Sequence, residues 1–193
     1  MEVVQRVEGF IVDEIESAEE KLNIRLSNYA KIYILDLLKR LCTERDPLNL
    51  EIIGDKPLAI VLMEAVRKDI FQKIRELKAV GDISLIFSGL YPEYLTRRLV
   101  DIDYYIDIGK RSYHLLSDTY SSLTSQQELF MLYSQLVAEF ITVIQVLTEM
   151  ASDLHFLDEE NIVKIYNRYR RTRIRKYLEI LKRHRIEPLI PNK

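Results

Sequence analysis

Asp82-Ile83-Ser84-Leu85-Ile86-Phe87-Ser88-Gly89-Leu90 is the stretch on which the fold class turns. A short apolar run of this kind is consistent with a buried strand or with a buried helix, and periodicity alone does not separate the two. A strand needs neighbours to pair with, and nothing nearby offers one. The run therefore reads as a short buried helix, and the chain as all-α.

Apolar residues elsewhere recur every three or four positions. Upstream, Val4, Val7, Ile11, Ile15, Ala18 and Leu22 form one face of a helix that Asn23 ends. Glu8, Glu16, Glu19 and Glu20 are expected on its opposite, solvated face. Ser27 is suited to cap a second helix running to about Thr43, with Ile32, Leu35, Leu38, Leu41 and Cys42 inward. Residues 44–56 read as a loop. Asp55 then caps a third helix with Pro57 in its first turn, ending near Gly81, where Asp82 restarts the chain.

Downstream, Glu93 to Arg98 makes one helical turn, and Asp101 or Asp103 caps a helix to about Leu116. Ser117 to Gln127 is a polar connection, and a long core helix covers about Gln126 to Ser152. Asp158, followed by Glu159 and Glu160, opens a last helix to about Arg183. The expectation is an irregular bundle of about seven helices: one domain over residues 1–185 and a short irregular tail over 186–193.

The 193 residues, 48% hydrophobic and 30% charged, suffice for a core without disulfides or metals. Cys42, the single cysteine, excludes an internal disulfide and a cysteine zinc site, and reads as a buried small side chain. The segment Leu129 to Met150 is long enough for a bilayer. Gln135, Glu139, Gln145 and Glu149 interrupt it, so it reads as a core helix. The first residues lack the pattern of a signal peptide, and the expected setting is cytoplasmic, without membrane contact.

Residues 81–113 hold Gly81-Asp82, the apolar run, Ser88-Gly89-Leu90-Tyr91-Pro92-Glu93, Arg97-Arg98, Asp103-Tyr104-Tyr105, Gly109 and Tyr113. This pattern resembles that of an uncharacterised bacterial family of all-helical cytoplasmic proteins. The resemblance implies a helical fold and a bacterial cytoplasmic origin, and no activity or catalytic residue. Glycines inside helical patterns cost about 1 kcal/mol against alanine, so Gly89 and Gly109 point to close backbone approach or a bend. The favoured reading is a tight helix crossing with Arg97 and Arg98 paired to aspartates. The alternative is a pocket for a small anionic ligand, lined by Arg97, Arg98, Tyr104, Tyr105, Tyr113 and His114.

Charge is unevenly spread. Residues 1–163 carry 17 Lys/Arg and 28 Asp/Glu, a net −11, whereas residues 164–193 carry 11 and 2, a net +9. In the basic segment the first reading is of arginines that meet the acidic body of the same chain or stay solvated; otherwise Arg168, Arg170, Arg171, Arg173, Arg175 and Lys176 are candidate contacts to an acidic partner, a second subunit or nucleic acid. Nucleic acid is not favoured, because the acidic body opposes it.

No catalytic constellation is recognisable. The three histidines lack metal-ligand spacing, and Asp101, Asp103 and Asp107 with Glu93 read as salt-bridging rather than magnesium-binding groups. No cofactor or metal is expected. The preferred reading is a non-enzymatic protein-interaction module engaging a protein partner or forming a homodimer. The anionic-ligand or enzymatic pocket and RNA or DNA binding are the alternatives.

Overall fold

The computed structural model describes residues 2–91, 102–123 and 125–153. Among them the chain is all-α, with eight helices and no strand. These are α1 (Glu2–Leu22), α2 (Asn28–Thr43), α3 (Leu50–Ile53), α4 (Leu58–Ala65), α5 (Ile70–Leu90), α6 (Ile102–Ser121), α7 (Gln127–Ala138) and α8 (Phe140–Asp153). The expected turn at Glu93–Arg98 and the last helix from Asp158 lie outside the described residues.

The bundle is organised around α5, against which α3, α4, α6 and α8 pack. From Glu76 to Leu90 it is buried on nearly every side, as an apolar helix without a polar stripe must be. The run from Asp82 is helical as expected, but it is the second half of α5 and not a separate element. Gly81 does not end a helix. The break falls earlier, after Val66, where Asp69 accepts from the amides of Phe71 and Gln72 and caps α5.

Gly81 serves packing instead. A Cβ placed there would clash with the Tyr113 ring of α6, approaching Cδ1 to 2.6 Å. At Gly109 on α6 it would lie 2.8 Å from Ser84 Cβ of α5 and also strike Phe140, and at Gly89 it would lie 2.6 Å from Leu147 Cβ of α8. Gly89 and Gly109 thus make the close approaches that the sequence implies, and Gly81 makes a further one that it does not. Hydroxyls stitch the same seams, Ser112 Oγ donating to Leu77 O at 2.6 Å and Thr148 Oγ1 to Gly89 O at 3.0 Å.

The first two helices keep the boundaries expected of them. Asn23 adopts a left-handed φ of 53° after α1, and the Ser27 side chain caps α2 by accepting from Ala30 N. Val7, Ile11, Ile15 and Ala18 are buried at the expected spacing. Glu19 departs from expectation, since it is fully buried rather than solvated. It turns back on the α1–α2 connection and accepts from Leu26 N at 2.7 Å and Lys31 Nζ at 2.6 Å. Burial alone raises a carboxyl's pKa, but these donors together with Arg25 hold Glu19 below its ordinary range.

The long core helix is broken at Glu139, where α7 and α8 meet at 71°. The Glu139 carboxylate accepts from Ser27 N at 3.1 Å and Ser27 Oγ at 2.9 Å, and so fastens the start of α2. Among the described residues no single helix is long and apolar enough to cross a membrane.

Smaller differences are local. Residues 44–56 contain α3, whose first amides, Leu50 N and Glu51 N, are taken by the Asp46 carboxylate. Pro57, not Asp55, is the N-cap of α4. Asp103 lies in the first turn of α6 rather than capping it, and α6 continues to Ser121. Ile32, expected inward, is 63% exposed.

Gly81→Ala is expected to destabilise the chain by about 1–3 kcal/mol through overpacking, despite its better helix propensity. At Gly9 an added Cβ meets nothing within 4 Å, so Gly9→Ala is expected to stabilise by up to about 1 kcal/mol. Denaturant unfolding of the two variants should give opposite signs.

Candidate functional site

The chemistry-bearing residues among the described ones converge on Asp82. A carboxylate in the middle of a buried helix must find donors, because an unpaired one is strongly disfavoured. Asp82 is 1% exposed, and three helices supply its partners. Oδ1 accepts from the hydroxyls of Tyr33 on α2 and, at 2.9 Å, Tyr113 on α6. Oδ2 accepts from Lys78 Nζ at 2.6 Å, one turn earlier on α5, and from Arg40 Nη2 of α2 at 3.1 Å.

Aromatic rings close around this centre. Tyr33, Tyr113 and Tyr133 pack pairwise with centroids 5.7 to 5.9 Å apart, and Tyr120 stacks on Tyr133 at 5.6 Å. Lys78 Nζ also lies 5.0 Å over the Tyr33 ring. Burial, followed by the negative field of Asp82, pushes the Tyr33 and Tyr113 hydroxyls well above the ordinary tyrosine value, and Tyr133 upward as well. Burial opposes the charge on Arg40, but Asp82 outweighs it and keeps the guanidinium protonated. The donors saturate the carboxylate, so the arrangement holds three helices in register and leaves Asp82 no free lone pair for a substrate.

The described members of the expected pocket are engaged as follows. Tyr113 is fully buried and its hydroxyl is held by Asp82. Tyr104 accepts a hydrogen bond from Ala59 N at 3.1 Å, supporting the first turn of α4. Tyr105 stacks on Phe87 and meets Tyr104 edge-on. His114 is exposed, with Nδ1 3.2 Å from Asp118. Arg97 and Arg98 lie outside the described residues, as do Arg168, Arg170, Arg171, Arg173, Arg175 and Lys176.

No group of three or more His, Cys, Asp or Glu among the described residues is placed to hold a metal. Cys42, half-buried by exposure, has its thiol pushed by burial up to about 12 and is poorly suited to nucleophilic work.

Among the described residues, two surface features stand open. The first is the knuckle joining α4 to α5, where Ile60, Met63, Val66, Ile70 and Phe71 are 43%, 60%, 45%, 37% and 82% exposed. The second is a groove of about 310 Å³ between α1 and α2, with Val12, Ile15, Ile32 and Leu35 in its lining. Sequence reasoning missed the Asp82 centre because Asp82 follows Gly81 and looked like a helix start. An acid at the head of a mostly apolar run, with no flanking charge through Leu90, was the available signal.

No protein-family model, curated protein or solved structure matches this chain.

Asp82→Ala is expected to cost about 3–5 kcal/mol, since it strands Arg40 and two phenols in the interior. Tyr33→Phe should cost about 1–3 kcal/mol alone and less in the Asp82→Ala background, where its acceptor is already gone. A double-mutant cycle in denaturant checks both.

Because the folded values of Tyr33 and Tyr113 are raised, their contribution is complete below the unfolded tyrosine value of 10.0 and is lost as pH rises through the folded values. Phenolate absorbance from the buried tyrosines should therefore appear together with loss of the helical signal. Ionisation of all twelve tyrosines with the helical signal intact would contradict this.

Proposed function

We propose that this chain is a non-enzymatic protein-interaction module that engages its partner through the α4–α5 knuckle. The observation that carries this reading is the concentration of large exposed apolar side chains between Ile60 and Phe71. Scattered single apolar residues are normal on a surface, but a cluster of this kind marks a binding surface. Phe71 is 82% exposed on the first turn of α5, a position held in place by the Asp69 cap.

The engagement of Asp82, Tyr113 and Tyr104 in internal bonds favours this reading over a pocket in the same segment. The nucleic-acid alternative rests on the basic segment beyond residue 163, which lies outside the described residues. The reading carries with it the bacterial cytoplasmic setting implied by the sequence resemblance, and fractionation of the source cells tests that setting.

A photo-reactive amino acid at Phe71 of the full chain is expected to give discrete cross-linked adducts in cells, whereas the same group at the exposed Glu128 should give none. Absence of any adduct from position 71 would sink the proposal.

A further inference from the structure

Two exposed surfaces of this chain are complementary to each other and lie on different helix pairs. The knuckle is an apolar projection surrounded in sequence by Arg67, Lys73 and Arg75. The neighbouring Lys56 and Lys68 are already occupied by Glu64 and Glu76. The groove between α1 and α2 is an apolar concavity edged by Glu16. Asp13 and Glu20 stand three and four residues from Glu16 and share its exposed face of α1. Lys31, the one cation in the groove lining, is tied to the buried Glu19 at 2.6 Å. Neither the three cations nor the three acids form an ion pair among the described residues.

The two surfaces are built on separate parts of the bundle. α1 packs on α2 and α8, whereas α4 packs on α5 and α6. Phe71 is 82% exposed, and Ile32 and Val12, 63% and 37% exposed, line a concavity able to take an aromatic side chain.

We propose that the partner of the knuckle is a second copy of this chain, with the α4–α5 knuckle of one copy seated in the α1–α2 groove of the next. The inference rests on the interaction-module reading and names its occupant. Apolar insertion supplies affinity, while Arg67, Lys73 and Arg75 facing Asp13, Glu16 and Glu20 set orientation and association rate. Because the two surfaces differ, the contact is head-to-tail. It leaves one knuckle and one groove open at the ends of every assembly, and growth stops only if the rotation closes a ring.

The test uses light scattering on the full chain and on Phe71→Asp and Ile32→Asp, both at exposed positions, with circular dichroism to confirm that each variant is folded. Wild-type mass is expected to rise with concentration past that of a dimer or to settle at a closed ring. Each variant alone should be monomeric. An equimolar mixture of the two should form a one-to-one dimer and nothing larger, because Phe71→Asp retains its groove and Ile32→Asp retains its knuckle. If either apolar variant is misfolded, Arg67→Glu and Glu16→Lys replace them, each weakening association alone and recovering it when mixed.

A wild type that stays monomeric at every concentration overturns the proposal, and so does a mixture that stays monomeric. Persistence of association in either variant alone also overturns it. Binding of monomeric wild type to phosphatidylglycerol vesicles, lost in Phe71→Asp, would assign the knuckle to a lipid surface instead. A cross-link from position 71 to a different protein, with the wild type monomeric, would keep the interaction-module reading and reject the second copy as the partner.

Discussion

Placing the Asp82 carboxylate in the interior imposes the constraint from which much of the remaining structure follows. A buried acid is tolerated only when its oxygens are fully bonded. Here the donors come from α2, α5 and α6, so the three helices must be in register before the acid is satisfied. Arg40 gives a further link outward, since Nη1 donates to Pro47 O at 2.7 Å while Nε bonds Asp36 at 2.9 Å. The connection after α2 is thereby positioned by the same guanidinium that reaches Asp82. Apolar packing would tolerate several rotations of α5, whereas four directed bonds to one residue accept few.

The glycines serve the same constraint. Tyr113 reaches Asp82 because Gly81, one residue before the acid, leaves room for its ring. A side chain at position 81 would displace the ring from the acid that holds it. Gly109 plays the matching part on α6, where Ser84 and Phe140 crowd the backbone. Gly81-Asp82 is therefore one device, a gap for the ring and an anchor for its hydroxyl.

Most of the architecture is legible in the sequence where local chemistry and tertiary packing agree. Asn23 and Ser27 fix the α1–α2 turn through backbone geometry and a side-chain cap, both properties of the residues themselves. Reading failed where a local signal was used for long-range packing. Gly81 looked like a stop because glycine weakens helices, yet its use is set by Tyr113, 32 positions away in the chain. Glu19 looked solvated because its neighbours are, and Glu139 looked like one more interruption of a core helix. Each is bound to a distant or folded-back backbone that composition does not reveal. The exposed knuckle was hidden for a related reason. A continuous helix from 55 to 81 was expected there, and the break between α4 and α5, with Ile70 and Phe71 exposed just after the Asp69 cap, is not signalled by apolar spacing.

The bond between Glu139 and Ser27 spans 112 positions of chain. A ribosome delivers residues in order, and domains acquire structure as the chain emerges. Ser27 therefore cannot receive this partner until more than a hundred later residues have been made. Throughout that interval the contact that fastens α2 to the α7–α8 corner is missing. Closing so distant a pair also carries the entropic cost of a long loop. The α1–α2 pair is made before the α7–α8 corner, and its apolar faces stay without that cover until the corner is made.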